Sequence, residues 1–299
     1  MLKESLLYQK LPNQAVRCQT CSHRCQILPG RRGICGVRQN IDGALYVLNY
    51  GRAIAAHVDP IEKKPLYHFL PGTFTYSVAA AGCNFRCQNC QNWEISQMPK
   101  DRKLTGEQIA VLGEELAPQE IVAQTIKNNC PSISYTYTEP TIFLEWALET
   151  MKLAKNERLK NIWVTNGFMS AETIKLIAPY LDAANVDLKS SDDKFYQKVC
   201  GARLEPVLEN LKTLKKAGVH LEITTLIIPT LSDDLKTLGQ IANFIKSELG
   251  ADTPWHLSRF FPDVSFSLQG LPATPLETLK KAEQIGFSAG LKNVYLGNI

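Results

Sequence analysis

The chain has 299 residues, a formal net charge of +4, 44% hydrophobic and 21% charged residues, and a pI near 8.5. That length supports a large core in one barrel-type domain, or in a domain with a smaller unit beside it. The small positive charge excludes a strong nucleic-acid or membrane signal. The opening "MLKESLLYQKLPNQ" is too polar for a signal peptide, and no run approaches 18 apolar residues, so a cytoplasmic location is expected.

Residues 1–72 read as a Cys-rich N-terminal segment with a β-ribbon, and residues 73–299 as the main domain. The first segment carries Cys18, Cys21, Cys25 and Cys35, a "PGRRG" turn, and β-prone stretches such as "GALYVLNYGRAIAA" without a long helical period. From residue 73 strands and helices alternate. "TFTYSVAAAG" is a strand that ends just before a second cysteine group, Cys83, Cys87 and Cys90. Thr105 and Gln108 suit a capping box. "SISYTYT" is a strand, and Pro140 opens the helix that follows. "IWVT", "ANVDL", "LEITTLII" and "WHLSRF" are further strands, separated by helices with apolar faces such as Leu238, Ile241, Ala242 and Ile245. Ser232 is expected to cap that last helix, with Asp233 and Asp234 in its first turn. The strands read as apolar on both faces. Alternation of this kind predicts an α/β fold built as an incomplete parallel (β/α)6-type barrel. Ligands in such folds gather at the C-terminal strand ends, which puts Cys83, Glu139, Asn166, Asp187 and His256 around one mouth.

Seven of the nine cysteines fall into the two groups, a pattern that fits metal ligands better than disulfides. Cys130 and Cys200 read as ordinary buried thiols. The spacing C-x2-C-x3-C-x9-C suits a metal in the N-terminal group, zinc or an iron–sulfur cluster, with His23 as an alternative ligand. The trio C-x3-C-x2-C is one ligand short of either. Either a distant histidine completes a zinc site, or a cluster keeps one iron open.

The trio directly after a first barrel strand resembles the radical S-adenosylmethionine (SAM) superfamily. "YTYTEPT", "VTNGF", "VDLK" and "IIPTLSDD" are similar to segments of pyruvate formate-lyase activating enzymes. Together with "CQTCSHRCQILPGRRGICGVR", "DPIEKKPLYHFLPG" and "WHLSRFFPD", they most resemble the radical enzyme of the AmmeMemoRadiSam system. The resemblance implies an oxidoreductase of the activating-enzyme kind. Cys83, Cys87 and Cys90 would be its catalytic ligands to a [4Fe–4S] cluster. SAM would be cleaved reductively there to a 5′-deoxyadenosyl radical that abstracts hydrogen, with glycyl-radical activation as the nearest context. Glu139, Asn166, Asp187, Lys189 and His256 would contact the cofactor. Partners would be SAM, a one-electron donor such as flavodoxin or ferredoxin, and a substrate that is a protein, another macromolecule or a small metabolite. A non-catalytic iron–sulfur binding module is the reading from another class. Asn89 stands where the superfamily usually has an aromatic residue.

Each residue also has an ordinary alternative. Glu139 could serve a helix N-terminus. Asn166-Gly167 could be a plain turn. Asp187 and Lys189 could form a rim ion pair. His256 could be a satisfied, half-buried histidine.

Overall fold

A computed structural model describes residues 2–299. Its centre is an eight-stranded sheet of β1 (Ala55–Pro60), β2 (Phe74–Ala79), β3 (Ser132–Tyr135), β4 (Lys160–Thr165), β5 (Ala183–Asp187), β6 (His220–Ile227), β7 (Trp255–Arg259) and β8 (Val294–Gly297), in that spatial order. β1 pairs antiparallel to β2, and every later pairing is parallel. No ladder joins β8 back to β1 among the described residues, so the barrel is open.

Parallel strands need crossovers, and amphipathic helices supply them. They are α1 (Pro118–Lys127), α2 (Leu144–Asn156), α3 (Ala171–Ile177), α4 (Glu205–Lys216), α5 (Leu235–Phe244) and α6 (Leu276–Ala289). Each buries a stripe on the sheet: Val207, Leu211 and Leu214 from α4, and Leu238, Ile241 and Ala242 from α5. The Thr105–Gln108 capping box is present, with both bonds made, at 3.2 and 2.8 Å. The start of α5 differs from expectation. Asp234 is the cap, accepting from the backbone N–H groups of Lys236 and Thr237. The Ser232 hydroxyl instead accepts from the N–H of Ile228 and donates to the carbonyl of Leu226, which fixes the preceding turn.

The strands are not apolar on both faces. Side chains alternate along a strand, and paired residues share a face. Tyr76–Ile133, Val78–Tyr135–Trp163 and Val186–Ile223 lie on the face that helices cover. The other face carries Thr75–Ser132, Ser77–Ser134, Asn185–Glu222 and Thr224–His256. Most of these polar groups bond to one another or to the segment 61–73, whereas the Ser77 and Ser132 hydroxyls are buried without a partner among the described residues. The Thr75 and Ser134 hydroxyls are 2.8 Å apart, Thr224 Oγ1 donates to Asn185 Oδ1 at 2.8 Å, and Asn185 Nδ2 donates to the carbonyl of Pro65 at 2.8 Å. The barrel interior is therefore polar, with 61–73 filling the end where β2 begins.

Before β1 the chain forms short strands. Lys3–Glu4, Ala44–Val47 and Arg38–Ile41 make one small sheet, and Tyr8–Lys10, Val16–Cys18 and Gln26–Ile27 make another. Their apolar cluster is small, centred on Val16, Cys18, Ile27 and Leu45. Polar contacts tie this region to the barrel. Arg38 donates to both oxygens of Glu145 on α2, at 3.0 and 2.7 Å, and both side chains are almost fully buried. Gly36, at φ +82°, passes so close to Pro99 that an added Cβ would stand 2.4 Å from its carbonyl oxygen.

Candidate active site

The three cysteines sit on the loop after β2. Cys87 is buried, while Cys83 and Cys90 are partly exposed. Gly82 N–H donates to the carbonyl of Ile95, Arg86 N–H to that of Cys200, and Gln88 N–H to that of Val199, at 2.9, 2.8 and 3.0 Å. The last two acceptors belong to a π-helical turn, Tyr196–Cys200, a deviation often found at functional sites. Phe85, 1% exposed, plugs the loop between the rings of Phe168 and Tyr196.

Polar hydrogens converge on the sulfurs. Phe85 N–H lies 3.4 Å from Cys83 Sγ, and Asn166 Nδ2 is 3.9 Å from the same atom and 2.7 Å from Asn84 Oδ1. Ser96 Oγ is 3.3 Å from Cys90 Sγ. Burial pushes the Cys83 and Cys90 thiols up. For Cys87 the main cause is the neighbouring Cys200 thiol, and burial adds to it. Lys100 opposes the shift at Cys83, and Lys189 opposes it at Cys87 and Cys90. Lys100 Nζ is held by the Phe85 carbonyl and by Gln97 Oε1. Thiols that resist ionising alone, with N–H donors at Cys83, a hydroxyl at Cys90 and two lysines nearby, suit an anionic iron–sulfur cluster. Asn84 Nδ2 and Asn89 Oδ1 are buried without a partner in the chain, leaving a donor and an acceptor free on this loop. Among the described residues no three His, Cys, Asp or Glu side chains stand close enough to share one metal ion. A site in which each thiolate takes a different iron does not require such convergence.

Glu139 follows β3 and is 1% exposed. Its Oε1 accepts from Thr141 N–H, Thr141 Oγ1 and Thr165 Oγ1 at 3.1, 2.6 and 2.7 Å, and its Oε2 accepts from Asn166 N–H at 2.8 Å. It thus caps the turn Pro140–Phe143 and ties the end of β3 to the end of β4. Burial raises its pKa, and these donors oppose the rise. Asn166 lies between Glu139 and Cys83, so the chain Glu139–Asn166–Cys83 is continuous. Gly167 leaves β4 at φ +72°, where an added Cβ would meet Val186 at 2.9 Å. Asp187, at the end of β5, accepts from Lys189 Nζ at 2.7 Å. Burial alone would lower the lysine's pKa, but Asp187, Cys87 and Cys200 hold it well above its ordinary value.

His256 is not with these residues. It is the second residue of β7, and its Nε2–H donates to Glu222 Oε2 at 2.7 Å. Glu222 also accepts from the N–H groups of Tyr67 and His68 in the segment 61–73, and from His220. His256 stacks on Tyr295 and meets the Tyr67 ring edge-on. These partners belong to the end of the barrel where β2 begins, away from the trio.

The four N-terminal cysteines line one cavity, together with His23, Arg38 and Asn84. Their backbone is stitched to the loop after β4. Ser22 N–H donates to the Phe168 carbonyl at 3.1 Å, Ser22 Oγ to that of Met169 at 2.9 Å, and Ser170 N–H to that of Thr20 at 3.2 Å. His23 Nε2 donates to the carbonyl of Asn84 at 2.9 Å, so its ring turns toward the trio loop.

Several contributors carried no sequence signal of their own. Cys200 was an isolated thiol, yet it abuts Cys87. Asn84 is an unspecified position inside the C-x3-C-x2-C spacing, and Lys100 lies outside any motif. Glu222 was detectable only through the alternation in "HLEITTLI".

The sequence pattern that defines the radical SAM superfamily matches residues 78–243, and the chain belongs to that superfamily. An uncharacterized protein of Methanocaldococcus jannaschii is 45% identical over 298 residues, covering 100% of this chain and 86% of that protein. The pyruvate formate-lyase-activating enzyme of Clostridium pasteurianum is 23% identical over 211 residues, covering 68% of this chain and 86% of that enzyme. The crystal structure of a radical SAM methyltransferase from Sphaerobacter thermophilus shares the fold, with a TM-score of 0.56 and 15% identity over 76% of this chain and 67% of that one. The family uses SAM and a [4Fe–4S] cluster. Among the described residues no helix is long and apolar enough to cross a membrane.

Proposed function

We propose that the chain is an enzyme of the activating-enzyme kind, in which Cys83, Cys87 and Cys90 hold the [4Fe–4S] cluster and SAM binds at its open iron. The observation that carries this reading is the placement of three thiols at the end of the first parallel strand, with Asn166 bridging Cys83 to the Glu139 carboxylate. When bound, the cluster supplies the electron that splits SAM into methionine and a 5′-deoxyadenosyl radical. The chain's residues bind and orient. Glu139, whose Oε2 accepts a single internal bond, would orient the SAM ammonium. Asp187 and Lys189 border the mouth next to Cys87. The polar inner face continues below it and offers hydroxyls and amides to a substrate. Likeness to a pyruvate formate-lyase-activating enzyme supports a protein glycine as the hydrogen donor. The exposed Trp93–Phe266 pair, 5.5 Å apart, favours a macromolecular substrate at this rim.

The test is anaerobic reconstitution, chemical reduction and measurement of 5′-deoxyadenosine. Wild-type protein is expected to form it, and the Cys83→Ala, Cys87→Ala, Cys90→Ala triple variant to form none. Product from the triple variant would refute the assignment. Deuterium transfer into 5′-deoxyadenosine from labelled candidate proteins then identifies the hydrogen donor.

A further inference from the structure

The cavity formed by Cys18, Cys21, Cys25 and Cys35 lies outside the proposed catalytic mouth and shares one wall with it. We infer that these four cysteines bind a second [4Fe–4S] cluster, closed by four protein thiolates, directly behind the catalytic trio.

Four sulfurs from three separate backbone pieces face one enclosure. Cys18 ends a strand, Cys21 and Cys25 flank the turn stitched to Phe168 and Met169, and Cys35 precedes the Arg38 strand. Backbone N–H groups beside three of the sulfurs favour their ionised form: that of His23 near Cys21, that of Ile34 near Cys25, and those of Val37 and Arg38 near Cys35. N–H bonds to sulfur stabilise thiolates and are one of the means by which proteins tune iron–sulfur clusters. The buried Arg38 guanidinium lines the same cavity and adds positive charge next to a cluster of net negative charge.

The lining of the cavity favours iron over zinc. A structural zinc ion draws four sulfurs to about 2.3 Å from one centre. Among the described residues no three such side chains converge on a single-ion site, although these four thiols face one space. A cubane holds each thiolate on its own iron and keeps the sulfurs apart. The surroundings agree: Ile27, Ile34 and Ile142 give the cavity an apolar wall, which keeps water from the inorganic sulfide. All four cysteines are engaged, so no iron remains open for SAM. The site is close to the catalytic one through His23, which lies between Cys21 and Cys25 and donates to the carbonyl of Asn84, the residue next to Cys83.

The experiment is metal and sulfide analysis of the full chain after anaerobic reconstitution with iron, sulfide and equimolar zinc, with EPR of the reduced protein. Wild-type protein is expected to hold about eight irons and eight sulfides, twice the content of one four-iron cluster. The Cys83→Ala, Cys87→Ala, Cys90→Ala triple variant should keep about four of each, with an EPR signal that SAM does not alter. The Cys18→Ser, Cys35→Ser variant should keep about four, with a signal that SAM does alter. One zinc and about four irons in wild type, or no iron in the triple variant, would overturn the inference. The triple variant decides even where the Cys18→Ser, Cys35→Ser protein fails to fold. Its iron content is independent of 5′-deoxyadenosine formation, so failure of this inference is distinguishable from failure of the proposed activity.

Discussion

The barrel and the region before it are held together by different forces. The barrel buries a continuous apolar layer between the helices and one face of the sheet. The first fifty residues form only a small apolar cluster of their own, and beyond the few side chains they lend to the barrel core, such as Val37, Val47 and Leu48, they are tied to it by polar clamps. Two of these clamps are arginine–glutamate pairs in contrasting surroundings. Arg38–Glu145 has side-chain exposures of 2% and 1%, and Arg24–Glu172 of 38% and 40%. The same pair of residue types therefore does two jobs. The buried pair is costly to desolvate, and once formed it cannot lose one member cheaply. The exposed pair is screened by water and salt.

The largest expected effect comes from breaking the buried clamp. Arg38→Met leaves Glu145 charged, buried and short of its two strongest donors. A loss of about 3–5 kcal/mol is expected, measured by denaturant unfolding, with limited proteolysis cutting first within residues 1–54. Equal stability would show that the region is held by other contacts.

Acid should act on the barrel's own buried carboxylate. His220, His256 and the Tyr67 and His68 N–H groups overcome burial and hold Glu222 down at about 2, from 4.5. A depressed carboxyl stabilises the fold above its unfolded pKa, and that stability is lost as pH falls through the folded one. A loss on the order of 3 kcal/mol is therefore expected as pH drops from about 4.5 to 2. Glu222→Gln should flatten this part of a stability-versus-pH curve.

Glu139→Gln keeps the shape but turns an NH2 group toward N–H and O–H donors. A stability loss of about 1–3 kcal/mol is expected by thermal unfolding. A SAM affinity ten- to a hundredfold lower, read by equilibrium binding to the reconstituted protein, would accompany it. Unchanged affinity with lowered stability would reduce the residue to a cap.

The smallest effect belongs to the exposed clamp. Glu172→Ala should cost roughly 0.2–1 kcal/mol, and less at high salt. A loss comparable to that of Arg38→Met would erase the contrast between the two pairs.

Much of this architecture is legible in the sequence because local patterns dictate it. Strand ends at "SVAAAG", "TYTEP" and "WVTNG" coincide with turn residues, and helix faces repeat at the helical period. Where two local signals compete, the sequence misleads. Ser232 and Asp234 are both good caps, and tertiary bonds to Leu226 and Ile228 claim the serine. His256 lies in a recognisable strand, but its end of the barrel depends on Glu222, Tyr67 and Tyr295, which no local rule connects. Cys200 is invisible for the same reason: a π-turn brings it to Cys87 from more than a hundred residues away. The N-terminal spacing suggests a metal, whereas the stitching of Thr20 and Ser22 to the loop after β4 spans about 150 positions and becomes visible only in three dimensions.

The open barrel has a kinetic consequence. With no ladder from β8 to β1, side chains bridge the gap: the imidazole of His68 and the hydroxyl of Tyr295 share a 2.7 Å hydrogen bond across 227 positions, and Tyr67 packs on the same ring. Contacts of such long sequence separation require much loop-closure entropy and form late. During synthesis, at about 5–20 residues per second, segment 61–73 must therefore wait many seconds for its partners to emerge. Over that interval the polar interior stays open to water, and Tyr67 and Phe69 are uncovered, which makes this segment the place where a nascent chain would most need protection by a chaperone.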